Sequence, residues 1–198
     1  MSLQIALIAG SSQHDSQSAR IARYLGERLL ALQLCARTSV LDLGRSPLPL
    51  WPSPEADSAW SHYSATLREA DALVVVAPEW NGMACPAIKN FFVYAGHAEL
   101  GHKPALLVGV SAGVGGAYPL AELRASSYKN CRICYLPEQL IVRQVEQAFH
   151  PHPEPTAAQR SLHARADWSL GILAEYASAM QPLRTRIDLQ AAPFVNGM

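Results

Sequence analysis

The run Ala72-Leu73-Val74-Val75-Val76-Ala77 carries no polar side chain. It is too short for a buried helix, and a strand that is apolar on both faces must be covered on both. Residues 105–110 have the same character, residues 3–9 depart from it only at Gln4, and shorter apolar segments fall at 40–43 and within 131–142. Between them lie stretches with apolar residues at helical spacing. Ser18 opens one with Ile21, Leu25, Leu29 and Leu32, and Ser58 caps another with Trp60, Tyr63, Leu67 and Ala70. Pro86 starts a helix over 86–95, and a fourth carries Leu120 and Leu123 to about Lys129. Thr156 opens the last, with Leu162, Ala166, Leu170, Leu173, Ala177 and Met180 on one side and Pro182 as its stop.

Five strands alternating with five helices predict an α/β fold, with a five-stranded parallel sheet at the centre of a three-layer sandwich. Without Rossmann doubling, the expected strand order is 2-1-3-4-5, the flavodoxin-like arrangement. No repeat or internal linker interrupts residues 1–198, so one domain is expected, with the tail from about 182 available as an oligomer arm. The fifth strand contains Pro137, and its limits stay open.

Lys and Arg total 16 against 16 Asp and Glu, which removes the electrostatic case for nucleic acid or an anionic membrane surface. No apolar run approaches the ~20 residues of a membrane span. The first residues pass into a strand without a basic region, so a secretory signal is not expected. Cys35, Cys85, Cys131 and Cys134 read as reduced structural thiols, because the one C-x-x-C pair falls in a strand-like segment. A cytoplasmic location is expected.

In the order 2-1-3-4-5, strands 1, 3 and 4 are neighbours and their carboxyl ends open into a common crevice. The three most unusual loops follow those strands. The first, residues 10–18, supplies Ser11, Gln13, Ser16, Gln17 and Ser18 at a helix N-terminus, where unpaired N–H groups and the helix dipole favour a phosphate. It reads equally as a serine-rich turn with Ser16 or Ser18 as N-cap, and it is not a Walker loop. The second, Pro78-Glu79-Trp80-Asn81-Gly82, offers an aromatic face beside hydrogen-bonding groups, the combination a planar heteroaromatic ligand needs. Taken alone it reads as an Asn-Gly turn with the tryptophan folded onto the core. The third contains Ser111, Gly113, Gly115 and Gly116, whose small residues let backbone approach a ligand, although Tyr118 breaks the dinucleotide pattern G-x-G-x-x-G.

No catalytic triad is identifiable: Ser11 lacks a nucleophile elbow and a His–Asp partner. His14 is expected in solvent, His97 and His102 beside a surface loop, and His150 and His152 in a stiff proline-rich loop, so no metal is expected.

The loops together resemble the NAD(P)H-dependent FMN reductases, a family that includes flavodoxin-like chromate, quinone and azo-dye reductases. Its first loop has the form G-S-x-R-x-x-S-x-N, matched here by residues 10–18 with Gln13 in place of the arginine. Its P-E-Y-N-G-x(6)-K-N appears as Pro78-Glu79-Trp80-Asn81-Gly82 followed by Lys89-Asn90, with tryptophan replacing tyrosine. Its S-x-G-x-G-G and Leu-Arg pair appear as residues 111–116 and Leu123-Arg124. Val93 stands where many members carry aspartate.

The resemblance spans about residues 3–145. It implies FMN held by the first loop at its phosphate and by the second and third around its ring. It further implies NADPH or NADH as donor, hydride transfer at flavin N5, and a small acceptor such as a quinone, azo dye, metal oxyanion or free flavin. No protein side chain need act as acid or base. A dimer or tetramer with flavins near the subunit interface is implied as well. The alternative is a flavin-binding electron carrier or regulatory module without nicotinamide turnover, although carriers of this fold are usually strongly acidic.

Overall fold

The computed structural model describes residues 2–151 and 153–188. In chain order its elements are β1 (Gln4–Ala9), α1 (Gln17–Ala31), β2 (Arg37–Asp42), α2 (Ala56–Glu69), β3 (Ala72–Trp80), β4 (Met83–Ala84), α3 (Pro86–Tyr94), α4 (His97–Leu100), β5 (Pro104–Val110), α5 (Tyr118–Ser126), β6 (Cys134–Val142), a short 3-10 turn (Val145–Gln147) and α6 (Ala157–Arg184). The main sheet runs β2-β1-β3-β5-β6, with every pair parallel. With the two-residue β4 set aside, this is the expected order 2-1-3-4-5, and the fold is flavodoxin-like.

Alternate side chains of each strand feed two separate cores, as the period of two requires. Leu7, Val74, Val76, Leu106 and Val108 pack with Ile21, Leu25 and Leu29 of α1 and Leu170, Leu173 and Ala177 of α6. Ala6, Ile8, Leu73, Val75 and Leu107 pack with Tyr63 and Leu67 of α2, Ile88 and Phe91 of α3, and Leu120 and Leu123 of α5. Those layers bury the sheet on both faces, which the unbroken apolar run at 72–77 demands.

Several local expectations are corrected. Ser16, not Ser18, is the N-cap of α1: its Oγ accepts the Ala19 N–H at 3.1 Å, and Ser18 lies buried inside the helix. Leu32 is the C-cap residue of that helix and is exposed, because the helix ends before its face returns to the sheet. α2 starts two residues before Ser58, whose hydroxyl donates back to the Glu55 carbonyl at 3.1 Å. The one-turn α4 and the hairpin strand β4 have no counterpart in the periodicity. Cys131 precedes the last strand, which begins only at Cys134.

Pro137 does not end β6. Between Ala105 and Leu107 the partner on β6 jumps from Tyr135 to Gln139, so the proline sits in an irregularity where its missing N–H is tolerated. Pro182 likewise lies inside α6, which continues to Arg184 because that arginine is held by Asp71 at 2.8 Å. The proposed arm therefore begins as helix. Its residues 189–198, like His152, lie outside the described residues.

Candidate functional site

The carboxyl ends of β1, β3 and β5 bring the three loops side by side. The Gly10 N–H donates to the Val76 carbonyl at 2.8 Å, and a β-carbon built on Gly10 would meet that same oxygen at 2.8 Å. Only glycine lets β1 leave the sheet so close to β3. In the first loop, the buried Ser11 accepts the Gln13 N–H at 3.1 Å. The Gln13 carbonyl rests against Gly44, where an added β-carbon would lie only 2.1 Å from its oxygen. The Gln13 side chain is exposed. Gln17 accepts Arg20 Nε at 2.7 Å, and Arg20 also donates to the carbonyls of Val145 and Ala148. Burial lowers the pKa of this arginine from its ordinary value. The loop meets the hairpin where Cys85 Sγ lies 3.9 Å from Ser12 Oγ.

The second loop is shorter than its sequence suggests. Pro78, Glu79 and Trp80 belong to β3, with Pro78 paired to Val110 and Glu79 and Trp80 paired to Ala84 and Met83 of β4. Only Asn81 and Gly82 form the turn, with φ of +49° and +74°, the left-handed pair that a tight hairpin requires and that Asn-Gly supplies. Trp80 is half-buried and packs against the second core, as the plain reading of this stretch expected.

The Glu79 carboxylate points away from the turn. Its Oε2 accepts the N–H groups of Gly116 at 2.6 Å and Tyr118 at 3.3 Å. In the third loop, Ser111 Oγ accepts the Gly113 N–H at 3.2 Å, and the carbonyls of Ser111 and Gly113 take the N–H groups of Val145 and Gln144. Arg143 Nε donates to the Gly115 carbonyl at 3.1 Å. Gly116 has φ +102°, and a β-carbon on Gly109 would strike its carbonyl oxygen at 2.0 Å, so both glycines are needed for β5 to pass under the loop. A β-carbon on Gly82 or Gly113, by contrast, would meet no atom within 4 Å, so both positions leave room for a ligand to approach.

The sequence reading missed several residues that shape this site. Glu122 of α5 accepts the Ala84 N–H at 2.8 Å and pairs with Lys89 of α3 at 3.1 Å; the hydrogen bond from Ala84 is the main reason its carboxyl pKa is lowered. Asn90 holds the proline-rich segment after β2. Leu43, Pro47, Leu48, Pro86 and Ala87 line an apolar recess of about 200 Å³ that reaches Ser12 of the first loop. The Lys89-Asn90 pair was visible in sequence, but its partners are far along the chain. Cys85 and Cys131 are buried and Cys35 and Cys134 half-buried, all four unbridged. Burial pushes the Cys131 thiol up to about 11 and raises Cys134 and Cys35, as suits unreactive thiols. Among the described residues, no cluster of His, Cys, Asp and Glu is suited to hold a metal ion, and no helix is long and apolar enough to cross a membrane.

A parallel sheet of this order, with helices on both faces, defines a flavodoxin-like fold, and the three loops lie over the carboxyl ends of the neighbouring strands β1, β3 and β5. The family model for NADPH-dependent FMN reductase matches residues 3–147, and the chain belongs to that family. A 2-hydroxy-1,4-benzoquinone reductase of Burkholderia sp. is 30% identical over 151 residues, covering 71% of this chain and 79% of that protein. An NADPH azoreductase of Bacillus sp. (strain OY1-2) is 25% identical over 128 residues, 63% of this chain and 68% of the relative. Among solved structures, the flavoenzyme NAD(P)H:(acceptor) oxidoreductase FerB of Paracoccus denitrificans superposes with a TM-score of 0.66 at 20% identity, over 89% of this chain and 98% of that one.

The protein is thus an oxidoreductase with the family's FMN cofactor and NAD(P)H donor. The residues present fit that cofactor: hydroxyls and a helix N-terminus stand in the first loop, and the space beside Gly82 and Gly113 is open.

Proposed function

We propose that this enzyme passes hydride from NAD(P)H through bound FMN to a small acceptor: a quinone, an azo dye, a metal oxyanion or free flavin. The carrying observation is the convergence of the three loops over β1, β3 and β5, tied by Gly10–Val76 and Glu79–Gly116 contacts. When bound, FMN supplies the ring that takes hydride and releases electrons. The chain supplies position and charge.

Ser11, Gln13, Ser16 and Gln17, with the backbone at the start of α1, hold the phosphate, Ser18 taking part through its backbone because its side chain is buried in the helix. Pro78, Trp80, Asn81 and Gly82 border the ring, and Ser111, Gly113 and Gly115 border it from the other side. Glu79 takes part through its backbone, its carboxylate being engaged at α5. The names of the azoreductase and benzoquinone reductase relatives support organic acceptors.

Residues 1–198 act as one domain in the cytoplasm, and copies associate as a dimer or tetramer. Association is supported by exposed apolar side chains, among them Leu50, Trp51, Met83, Val93 and Tyr118.

The visible spectrum tests this reading. Purified protein should take up FMN, turn colourless with NADPH or NADH under nitrogen, and recover its colour when a quinone is added. Protein that cannot take up FMN would refute the proposal; yellow protein that neither nucleotide bleaches would leave an electron carrier.

A further inference from the structure

Two carboxylates join the second and third loops in opposite directions. Glu79, at the end of β3, accepts the N–H groups of Gly116 and Tyr118. Tyr118 is the first residue of α5, and Ala117 at its N-cap makes no side-chain cap bond, so Glu79 caps that helix from a distant strand. The cap is favourable on two grounds: carboxylate-to-N–H bonds are charge-assisted, and negative charge is stabilised at a helix N-terminus.

Glu122, just beyond the first turn of the same helix, returns the contact: its Oε2 accepts the N–H of Ala84 on β4. Lys89 holds the other oxygen of Glu122 and donates to Ser126 at 2.6 Å, which ties α3 into the arrangement. At Gly115 a β-carbon would lie 2.4 Å from Glu79 Oε1, so the glycine is what admits the carboxylate.

Resting on the FMN reading above, we propose that Glu79 and Glu122 are positioning residues that lock the hairpin of β3 and β4 and the glycine-rich loop into one clasp, and that this clasp sets how tightly the flavin ring is held. The hairpin cannot lift without uncapping α5, and α5 cannot shift without releasing β4. Each carboxylate therefore protects the backbone bonded to the other. The negative charge of Glu79 also fills the N-terminus of α5, leaving the anion of the cofactor to α1.

Amide hydrogen exchange by NMR tests the clasp on flavin-free protein. In Glu79→Gln, exchange should quicken at Gly116 and Tyr118 and also at Ala84; in Glu122→Gln, it should quicken at Ala84 and also at Gly116. Gly115→Ala, which displaces the Glu79 carboxylate without removing it, should give the Glu79→Gln pattern. FMN titration should show each Gln variant weakened about tenfold, the scale of one charge-assisted hydrogen bond, and the double variant weakened by less than the product. Variants that disturb only the amides they bond directly would mean two independent caps and overturn the clasp, as would wild-type FMN affinity in both single variants. Wild-type protein that refuses FMN while the exchange remains coupled would remove the cofactor reading and leave the clasp standing.

Discussion

Asn90 of α3 grips the backbone of Trp51: its Oδ1 accepts the Trp51 N–H at 3.0 Å, while its Nδ2 donates to the Pro49 carbonyl at 2.9 Å. The Tyr94 hydroxyl donates to that same carbonyl at 2.8 Å. A segment rich in proline, with Leu50 and Trp51 exposed, is thereby fixed beside the apolar recess next to the first loop. Asn90→Ala should cost ~1–3 kcal/mol, since the bonds to the Trp51 N–H and to the Pro49 and Leu48 carbonyls are lost and those groups are partly rehydrated. Urea unfolding measures the loss, and limited proteolysis should show new cleavage within residues 44–55. Unchanged cleavage there would mean that Tyr94 alone suffices.

Trp80 has two possible duties, because it packs on the second core and stands at the entrance of the hairpin turn. Trp80→Ala should weaken FMN by ~1–3 kcal/mol, the scale of a lost stacking platform, and should also lower the unfolding midpoint. Trp80→Phe should restore most of the stability and part of the affinity. Should stability fall while FMN affinity stays that of the wild type, the indole serves the core alone.

Lys103 is buried at the start of β5, and its ammonium donates to the carbonyls of Leu67 at 2.6 Å and Arg68 at 3.1 Å. Burial, and next the charge of Arg184, lower its pKa to about 8, against ~10.4 for free lysine. Between those values the unfolded chain holds a proton that the folded protein has released, so this group makes stability rise with pH across the window. Burial raises Tyr63 and Cys131 to about 12 and about 11, which works the other way as the unfolded thiol and phenol ionise. The informative quantity is thus wild type minus Lys103→Met. Measured by urea unfolding, that difference should shift in favour of the wild type from pH 8 to 10. Parallel curves would show that the two carbonyls keep the lysine charged.

Much of the architecture was legible because it rests on side-chain type alone. A strand apolar on both faces has one kind of environment, so the runs at 3–9, 72–77 and 105–110 called for a covered parallel sheet. Helical spacing identified the inward faces of α1 and α6, and Thr156 marked the start of α6, where it forms a capping box with Gln159. Prolines were less informative. Pro137 and Pro182 each remove one donor, and neighbouring contacts decide whether an element survives that loss.

At the site, each loop alone allowed a plain structural reading, and it was the resemblance of the three motifs in order to the FMN reductases that implied a flavin. The partners of the loop side chains were hidden. Glu79 read as a polar group beside a planar ligand, yet its carboxylate lies on Gly116 and Tyr118; Glu122 drew no notice, yet it holds β4.

The stretch Pro78-Glu79-Trp80-Asn81-Gly82 shows how the two levels divide. By itself the sequence determined that the chain reverses there, because Asn-Gly readily takes two left-handed conformations in succession. It determined also that a buried strand leads in, because 72–77 has no face for water. Tertiary structure decided that this strand continues through Trp80, because β4 is present to pair with it. It decided too that Glu79 serves α5, because a carboxylate leaving water needs donors, and the uncapped N–H groups of that helix stand within reach only in the folded chain.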